Sequence, residues 1–310
     1  MRRVLIAGLT AVLLPSVVLA GSKKDAPKAE KPTEESEDTP RGKQSEQDDQ
    51  PKSGGAGAGD VVAAGNPTGR MTMPGGKVLL DMIVEANLGK SAVGKPFSLA
   101  PDIWYGASNK LTLGLVHSGR GLTGFLTGAG RGLCFGDKDG ACAAGLGKIY
   151  TSVGAEARVG LSEGGFPIAL TLGGVVEAFK PNIVVSGKIG FVARAQSSRV
   201  ALELAPTVFV GITQRKVAGA GFNEDVLSVP VTLFLNLSPA FAIALQSGVS
   251  LTIEHAADTY VVPAAVGLAW WVSPKFSLDL AFGLTAVVDK DDMTKAFDGR
   301  SVSLGVGYGM

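Results

Sequence analysis

The sequence predicts an all-β fold: a transmembrane antiparallel up-and-down β-barrel of about twelve strands, preceded by a disordered N-terminal tether. Three observations carry this expectation. Apolar side chains recur at every second position through most of residues 77–310, the period of a strand with two unlike faces. Short and long connections alternate between those segments. Aromatic residues gather at one end of the segments and in one phase.

The composition points the same way. Gly supplies 43 of 310 residues and charged residues only 18%, with a mean hydropathy of +0.26. The 29 Lys+Arg against 28 Asp+Glu leave no basic field for nucleic acid and no acidic field for cations. Two His and two Cys exclude a zinc-finger array, a haem protein or an iron–sulfur protein, and neither cofactor nor metal is expected.

In chain order, Met1-Arg2-Arg3, the apolar run Val4 to Leu19 and the small residues before Gly21 read as a secretory signal peptide over 1–20, cleaved after Ala20. The run is short for a membrane helix, and residue 21 is Gly rather than the Cys of a lipoprotein. Residues 21–75 carry no aromatic side chain, mix charges of both signs and include Ser53-Gly54-Gly55-Ala56-Gly57-Ala58-Gly59. Such a stretch buries too little apolar surface to offset the entropy of ordering, so it is expected to be a linker. Its simplest role is a spacer; a sharper one is an arm that touches peptidoglycan or another partner.

The barrel is expected over 76–310. Its strands are read at 77–88, 97–106, 111–118, 149–161, 166–179, 183–196, 200–213, 226–237, 240–253, 260–272, 276–288 and 300–310. In the first, Leu80, Met82 and Val84 share one face while Asp81, Glu85 and Asn87 share the other. In 149–161, Val153, Ala155, Ala157 and Val159 oppose Ser152, Gly154, Glu156 and Arg158. In 200–213, Leu202, Leu204, Val208, Val210 and Ile212 oppose Glu203, Thr207 and Thr213. In the last, Val302, Leu304, Val306, Tyr308 and Met310 alternate with Ser and Gly. Tight turns at 107–110, 162–165, 197–199, 238–239 and 273–275 alternate with connections at 89–96, 119–148, 180–182, 214–225, 254–259 and 289–299. Only 180–182 is short for its place.

Tyr105, Phe166, Phe241, Trp270, Phe276 and Tyr308 all lie beside a short turn or the C-terminus, in the apolar phase, as an interfacial girdle would. A helical hairpin over 226–253 is opposed by Pro230, Pro239 and polar residues at two-residue phase. A soluble sandwich gives no reason for the asymmetry of the connections, and a barrel with its apolar phase inside typically has about eight strands. At the C-terminus, Ser303, Gly305, Tyr308 and Met310 occupy the spacing of an insertion signal, with Met310 where Phe or Trp is usual. With the hairpin Leu99–Gly106 and Asn109–Leu115, this resembles a Gram-negative outer-membrane β-barrel protein of the porin-like superfamily. The resemblance implies a cell outer membrane location, tight periplasmic turns, contact with lipid and lipopolysaccharide, and handling of the last strand by the barrel-assembly machinery.

Cys134 and Cys142 lie in the longest connection, and an oxidising compartment predicts one disulfide between them. Gly119-Arg120-Gly121-Leu122-Thr123-Gly124 matches a dinucleotide pattern but lacks its strand–helix context. His117 and His255 are the only imidazoles, and His117 and Ser118 point to opposite faces, so no catalytic residues are assigned and an enzyme is not expected. The acidic clusters at 137–139 and 289–292 do not complete a calcium loop.

The expected lumen-facing charges are Asp81, Glu85, Asp102, Glu156, Arg158, Glu177, Lys188, Arg194, Glu203 and Asp279. Acidic residues outnumber basic ones there, which predicts a mildly cation-favouring interior, with Glu177 and Glu203 as partners for Lys188 and Arg194. The many inward Gly, Ala, Ser and Thr leave room for a narrow passage, with 119–148 as a candidate constriction. The expected function is a passive channel for ions or small polar solutes. The alternative is a non-transporting anchor or surface binder that uses the 119–148 loop or the tether.

Overall fold

A computed structural model of the chain describes residues 70–89, 96–122, 131–215, 223–256, 259–289 and 297–310. The expected signal peptide and most of the linker lie outside the described residues.

The strands are β1 (Val78–Asn87), β2 (Phe97–Ser108), β3 (Leu111–Val116), β4 (Leu133–Phe135), β5 (Val153–Ser162), β6 (Ile168–Ala178), β7 (Val184–Gln196), β8 (Val200–Leu204), β9 (Thr207–Gly211), β10 (Val226–Ser238), β11 (Phe241–Thr252), β12 (Val261–Ser273), β13 (Phe276–Asp289) and β14 (Arg300–Gly309). All pairings are antiparallel; besides those between neighbours in the chain, β2 pairs with β4, β3 with β5, β7 with β9 and β8 with β10, and β1 pairs with β14 from Leu79↔Gly309 to Asn87↔Ser301. That last ladder closes the sheet into a barrel of 12 strands. Closure leaves no edge of unpaired N–H and C=O groups, which a lipid surround would not satisfy.

Twelve barrel strands arise from fourteen segments for two local reasons. Strands β8 and β9 are one strand in register, both pairing with β7 and β10. The interruption falls at Ala205-Pro206, where proline has no N–H to give the ladder. Strand β4 is a short segment of the long connection that pairs with Phe97–Leu99 of β2. It takes over beside β2 where β3 has already ended.

The period-two pattern sets the two faces. Leu80, Met82 and Val84 are exposed while Leu79, Asp81, Ile83 and Glu85 are buried. Leu202 and Leu204 face out around the buried Glu203. The girdle aromatics Tyr105, Phe166, Trp270 and Tyr308 are exposed, and two pairs of them face each other across ladders, Phe241↔Trp270 and Phe276↔Tyr308.

The short turns share a device. Strands β2, β5, β10 and β12 each end in a serine at which the register shifts: Ser108, Ser162, Ser238 and Ser273. Ser108 Oγ accepts from Lys110 N, Ser238 Oγ from Ala240 N, and Ser273 Oγ from Lys275 N and Phe276 N. These hydroxyl-closed turns satisfy backbone donors where the ladder stops. The connection after β6 is the short one, as the sequence shows, and contains a cis Lys180–Pro181 bond.

Inward apolar groups gather near the short turns. Phe234 and Trp271 pack with Ala201, Ala242, Ala244, Ala269 and Ala281. Trp104 packs with Leu79, Met73 and Leu122, and its ring lies where a side chain on Gly114 would sit. Residues 71–73 lie within the stretch expected to be linker and have buried side chains. Of these, Met71 joins Ala169 and Val192 on β6 and β7.

Candidate pore and its constriction

The charged side chains of the inner face are arranged by the ladders. Arg194 and Glu203 are direct cross-strand partners, and Arg194 donates from Nε and Nη2 to Glu203 Oε2 at 3.0 and 2.6 Å. The guanidinium also lies over the Phe234 ring, 5.4 Å from its centroid. The expected partnership of these two residues is therefore found.

The expected Lys188–Glu177 pair is not. Lys188 Nζ instead meets Glu156 Oε2 at 2.5 Å. The row reads Glu156↔Gly173↔Lys188, so Lys188 reaches two strands over across a residue with no side chain. Arg158 Nη2 adds a longer contact to Glu156 at 3.3 Å. Glu177 lies exposed at the C-terminal end of β6.

On the opposite wall, Asp81 and Asp102 face each other directly across the β1–β2 ladder, and Asp279 on β13 lies over Gly305. Like charges in direct opposition destabilise a sheet unless a counter-charge joins them. Arg120 supplies it, from the connection after β3 rather than from a strand. The connection after β3 turns into the barrel because Asp102 accepts from the N–H of His117 at 2.7 Å and of Ser118 at 3.0 Å, and from Ser118 Oγ at 2.5 Å. Two residues on, Arg120 Nη1 meets Asp279 Oδ1 at 2.8 Å, with both side chains almost wholly buried. The first residues of the connection expected as a constriction thus lie against inner-wall side chains. Residues 123–130 lie outside the described residues. Glu85 is buried on the same wall.

Between these walls lies a cavity of about 560 Å³. Its hydroxyl and amide lining includes Thr171, Ser186, Thr207, Ser228, Thr232, Gln246 and Ser250. Its charged lining is Arg120, Arg131, Arg158 and Lys188 against Glu177, Glu203 and Glu224. The cavity lining itself is thus near charge balance. Asp279 pairs with Arg120 and Asp102 accepts from His117 and Ser118, and Arg120 and Arg131 come from a connection outside the strand pattern.

The remaining candidates have structural partners. Cys134 and Cys142 form the disulfide, with Cα atoms 5.3 Å apart. His117 Nδ1 lies 2.6 Å from Pro101 O and Nε2 lies 2.9 Å from Tyr150 Oη. The Ser118 hydroxyl is given to Asp102, so imidazole and hydroxyl do not meet. Asp137 accepts from Gly140 N and Ala141 N and so closes its own turn. Asp139 pairs with Lys148 at 2.6 Å, and the hydrogen bond from Lys148 holds its carboxyl below the usual range. The His255 side chain and residues 290–292 lie outside the described residues. At the C-terminus Ser303 and Gly305 face in, while Tyr308 and Met310 face out.

An exposed apolar belt, a charged inner wall and a ladder closed from β14 to β1 define one architecture. The protein is a closed antiparallel β-barrel of 12 strands with an apolar outer face. No family model matches the sequence, and no curated protein matches it. Among solved structures, the barrel is similar to the NanC porin at 8% identity and TM-score 0.48, covering 74% of this chain and 97% of that one. It is similar to the KdgM porin at 11% identity and TM-score 0.46, covering 74% and 98%. It is also similar to an outer-membrane channel from Pseudomonas putida F1 at 11% identity and TM-score 0.49, covering 77% and 97%. These are likenesses of barrel outline at low sequence identity.

Proposed function

We propose that the protein is a narrow passive channel of the outer membrane for ions and small polar solutes, with weak charge preference. The observation that supports this is the cavity of about 560 Å³ lined by hydroxyls, amides and charges of both signs. A barrel serving only as an anchor gains nothing from a polar void. Charge preference is weak because the inner charges are matched in place: Arg194 by Glu203, Arg120 by Asp279, and Glu156 by Lys188 and Arg158. Selection then rests mainly on diameter at Arg120.

A non-transporting barrel is the second reading, favoured by the fact that Arg120 and residues 71–73 both occupy the lumen. Planar-bilayer recording separates the two. It uses the full chain and its Met71→Asp/Met73→Asp form, which removes the apolar anchoring of the N-terminal segment. Discrete current from the variant, with a reversal potential near zero in a salt gradient, supports the channel. A folded variant silent at every potential rejects it.

The topology proposed for this function puts the short turns in the periplasm and residues 21–69 there as a linker after a cleaved signal peptide. Lipid and lipopolysaccharide would meet the exposed belt. The outward Tyr308 and Met310 with inward Ser303 and Gly305 would serve the assembly machinery. Tyr308→Ala should lower the yield of folded barrel in cells without changing refolding in detergent. Equal yields would remove this role.

A further inference from the structure

We propose that residues Arg70–Pro74 form a displaceable plug that seals the short-turn mouth of the barrel. Its bearing on solute passage rests on the channel reading; its existence as a plug does not.

The segment precedes β1 yet lies inside the wall. Met71 and Met73 are 2% and 4% exposed. Met73 packs beside Trp104 and Leu79 near β1 and β2. Met71 lies in a cluster with Ala169 on β6 and Val192 on β7, with Ala205 against it. The segment therefore leaves β1 and follows the inner side of the short-turn mouth past β3 and β5 to β6 and β7. Methionine suits this task, because an unbranched, polarisable chain fills an irregular gap without demanding one fixed shape.

The wall is fitted to the segment. A Cβ at Gly106 would fall within contact distance of the Pro74 carbonyl oxygen, so glycine is required there while the plug is seated. Thr72 lies over Gly160. Met73 N donates to Thr112 Oγ1 at 2.8 Å and Thr72 Oγ1 to Asn109 O at 2.8 Å. Gly75 N donates to Asn109 Oδ1 at 2.9 Å, and Arg70 pairs with Glu163 at the neighbouring turn.

The attachment is also separable from the barrel. The ladder begins at Val78, whose N–H donates to Met310 O at 3.1 Å, and residues 70–74 belong to no strand. Withdrawing them breaks no rung of the sheet. The apolar contacts, a few hydrogen bonds to the β2–β3 turn and to the Thr112 hydroxyl, and the Arg70–Glu163 pair are what must be exchanged for water.

The test is thiol labelling in the full chain. Ala169→Cys places a thiol beneath Met71, and the two native cysteines are already joined. A membrane-impermeant maleimide should label this position slowly in the refolded protein. Adding Met71→Asp/Met73→Asp should raise the rate at least tenfold. Met71→Gly/Met73→Gly should do the same without placing charge in the lumen, and it decides the matter if the Asp form does not fold. Unchanged labelling in a folded variant overturns the plug. Bilayer current recorded on the same proteins keeps the two readings apart. Faster labelling with no current upholds the plug and rejects the channel. Faster labelling with current that rises above that of the parent upholds both.

Discussion

Replacing Arg120 by Ala removes the only described cation that meets Asp279 across the lumen, at 2.8 Å and out of contact with water. At an effective dielectric of about 20, two unit charges at that separation attract by about 6 kcal/mol, before the cost of stripping their hydration. Breaking such a pair from one side leaves Asp279 with Asp81 and Asp102 nearby and no counter-charge. The expected loss is about 3–5 kcal/mol. The assay is reversible urea unfolding of the refolded barrel in detergent, followed by tryptophan fluorescence, because Trp104 and Trp271 both line the inner face. Asp279→Asn should cost less than Arg120→Ala, since Arg120 keeps Asp81 and Asp102 as neighbours. The double variant should fall well short of the sum, with a coupling energy of at least about 1.5 kcal/mol. A loss under about 1 kcal/mol for Arg120→Ala is what exposed pairs give, and it would refute a dry, lumen-crossing contact.

Other consequences can be measured separately. Gly173→Val should abolish efficient refolding, measured as heat-modifiable mobility, because a side chain there meets the Ala155 carbonyl oxygen and blocks Lys188 from Glu156. Reduction of Cys134–Cys142 should make the loop more protease-sensitive while leaving barrel mobility unchanged, since so small a ring constrains the loop by about 2–3 kcal/mol and touches the sheet only through the three-residue β4. Alkylation without prior reduction should add no mass. Outside the wall, the hydrogen bond from Arg215 holds the Asp225 carboxyl below its usual range. A depressed carboxyl pKa contributes order that is full above the unfolded value and lost as pH falls through the folded one. Exchange protection of the Gly211 amide, which donates to Asp225 Oδ1 at 3.0 Å, should therefore persist from neutral pH down through the ordinary carboxylate range and fail only below it. Loss of protection between pH 6 and 5 would contradict the pairing.

Much of the barrel was legible because lipid imposes one rule on every strand. The outward phase must be apolar, so Leu80, Met82 and Val84 or Leu202 and Leu204 announce themselves by spacing alone. The Arg194–Glu203 pair was legible for a related reason, as neighbouring strands joined by a short turn have a nearly fixed register. The inner face obeys no such rule. Ile83 and Trp104 are as apolar as any lipid-facing residue, yet they point inward, where the constraint is space rather than solvent. Lys188 found Glu156 because Gly173 left a gap, and a gap has no signature in hydropathy. Arg120 and Met71 reach the lumen through irregular backbone, whose path is fixed by individual hydrogen bonds such as Asp102 to Ser118. The serine at the end of each of four strands was a local signal present in the sequence and readable as turn chemistry.

Spin labels placed singly at residues 80 to 85 of β1 in proteoliposomes test the two-faced closed wall most directly. Labels at Leu80, Met82 and Val84 should be relaxed by oxygen dissolved in the acyl chains, while those at Asp81, Ile83 and Glu85 should be shielded from it. Ile83 decides the matter, because hydropathy alone would send it to lipid. Oxygen access at Ile83 equal to that at Met82, or no alternation along the strand, would contradict the barrel described above.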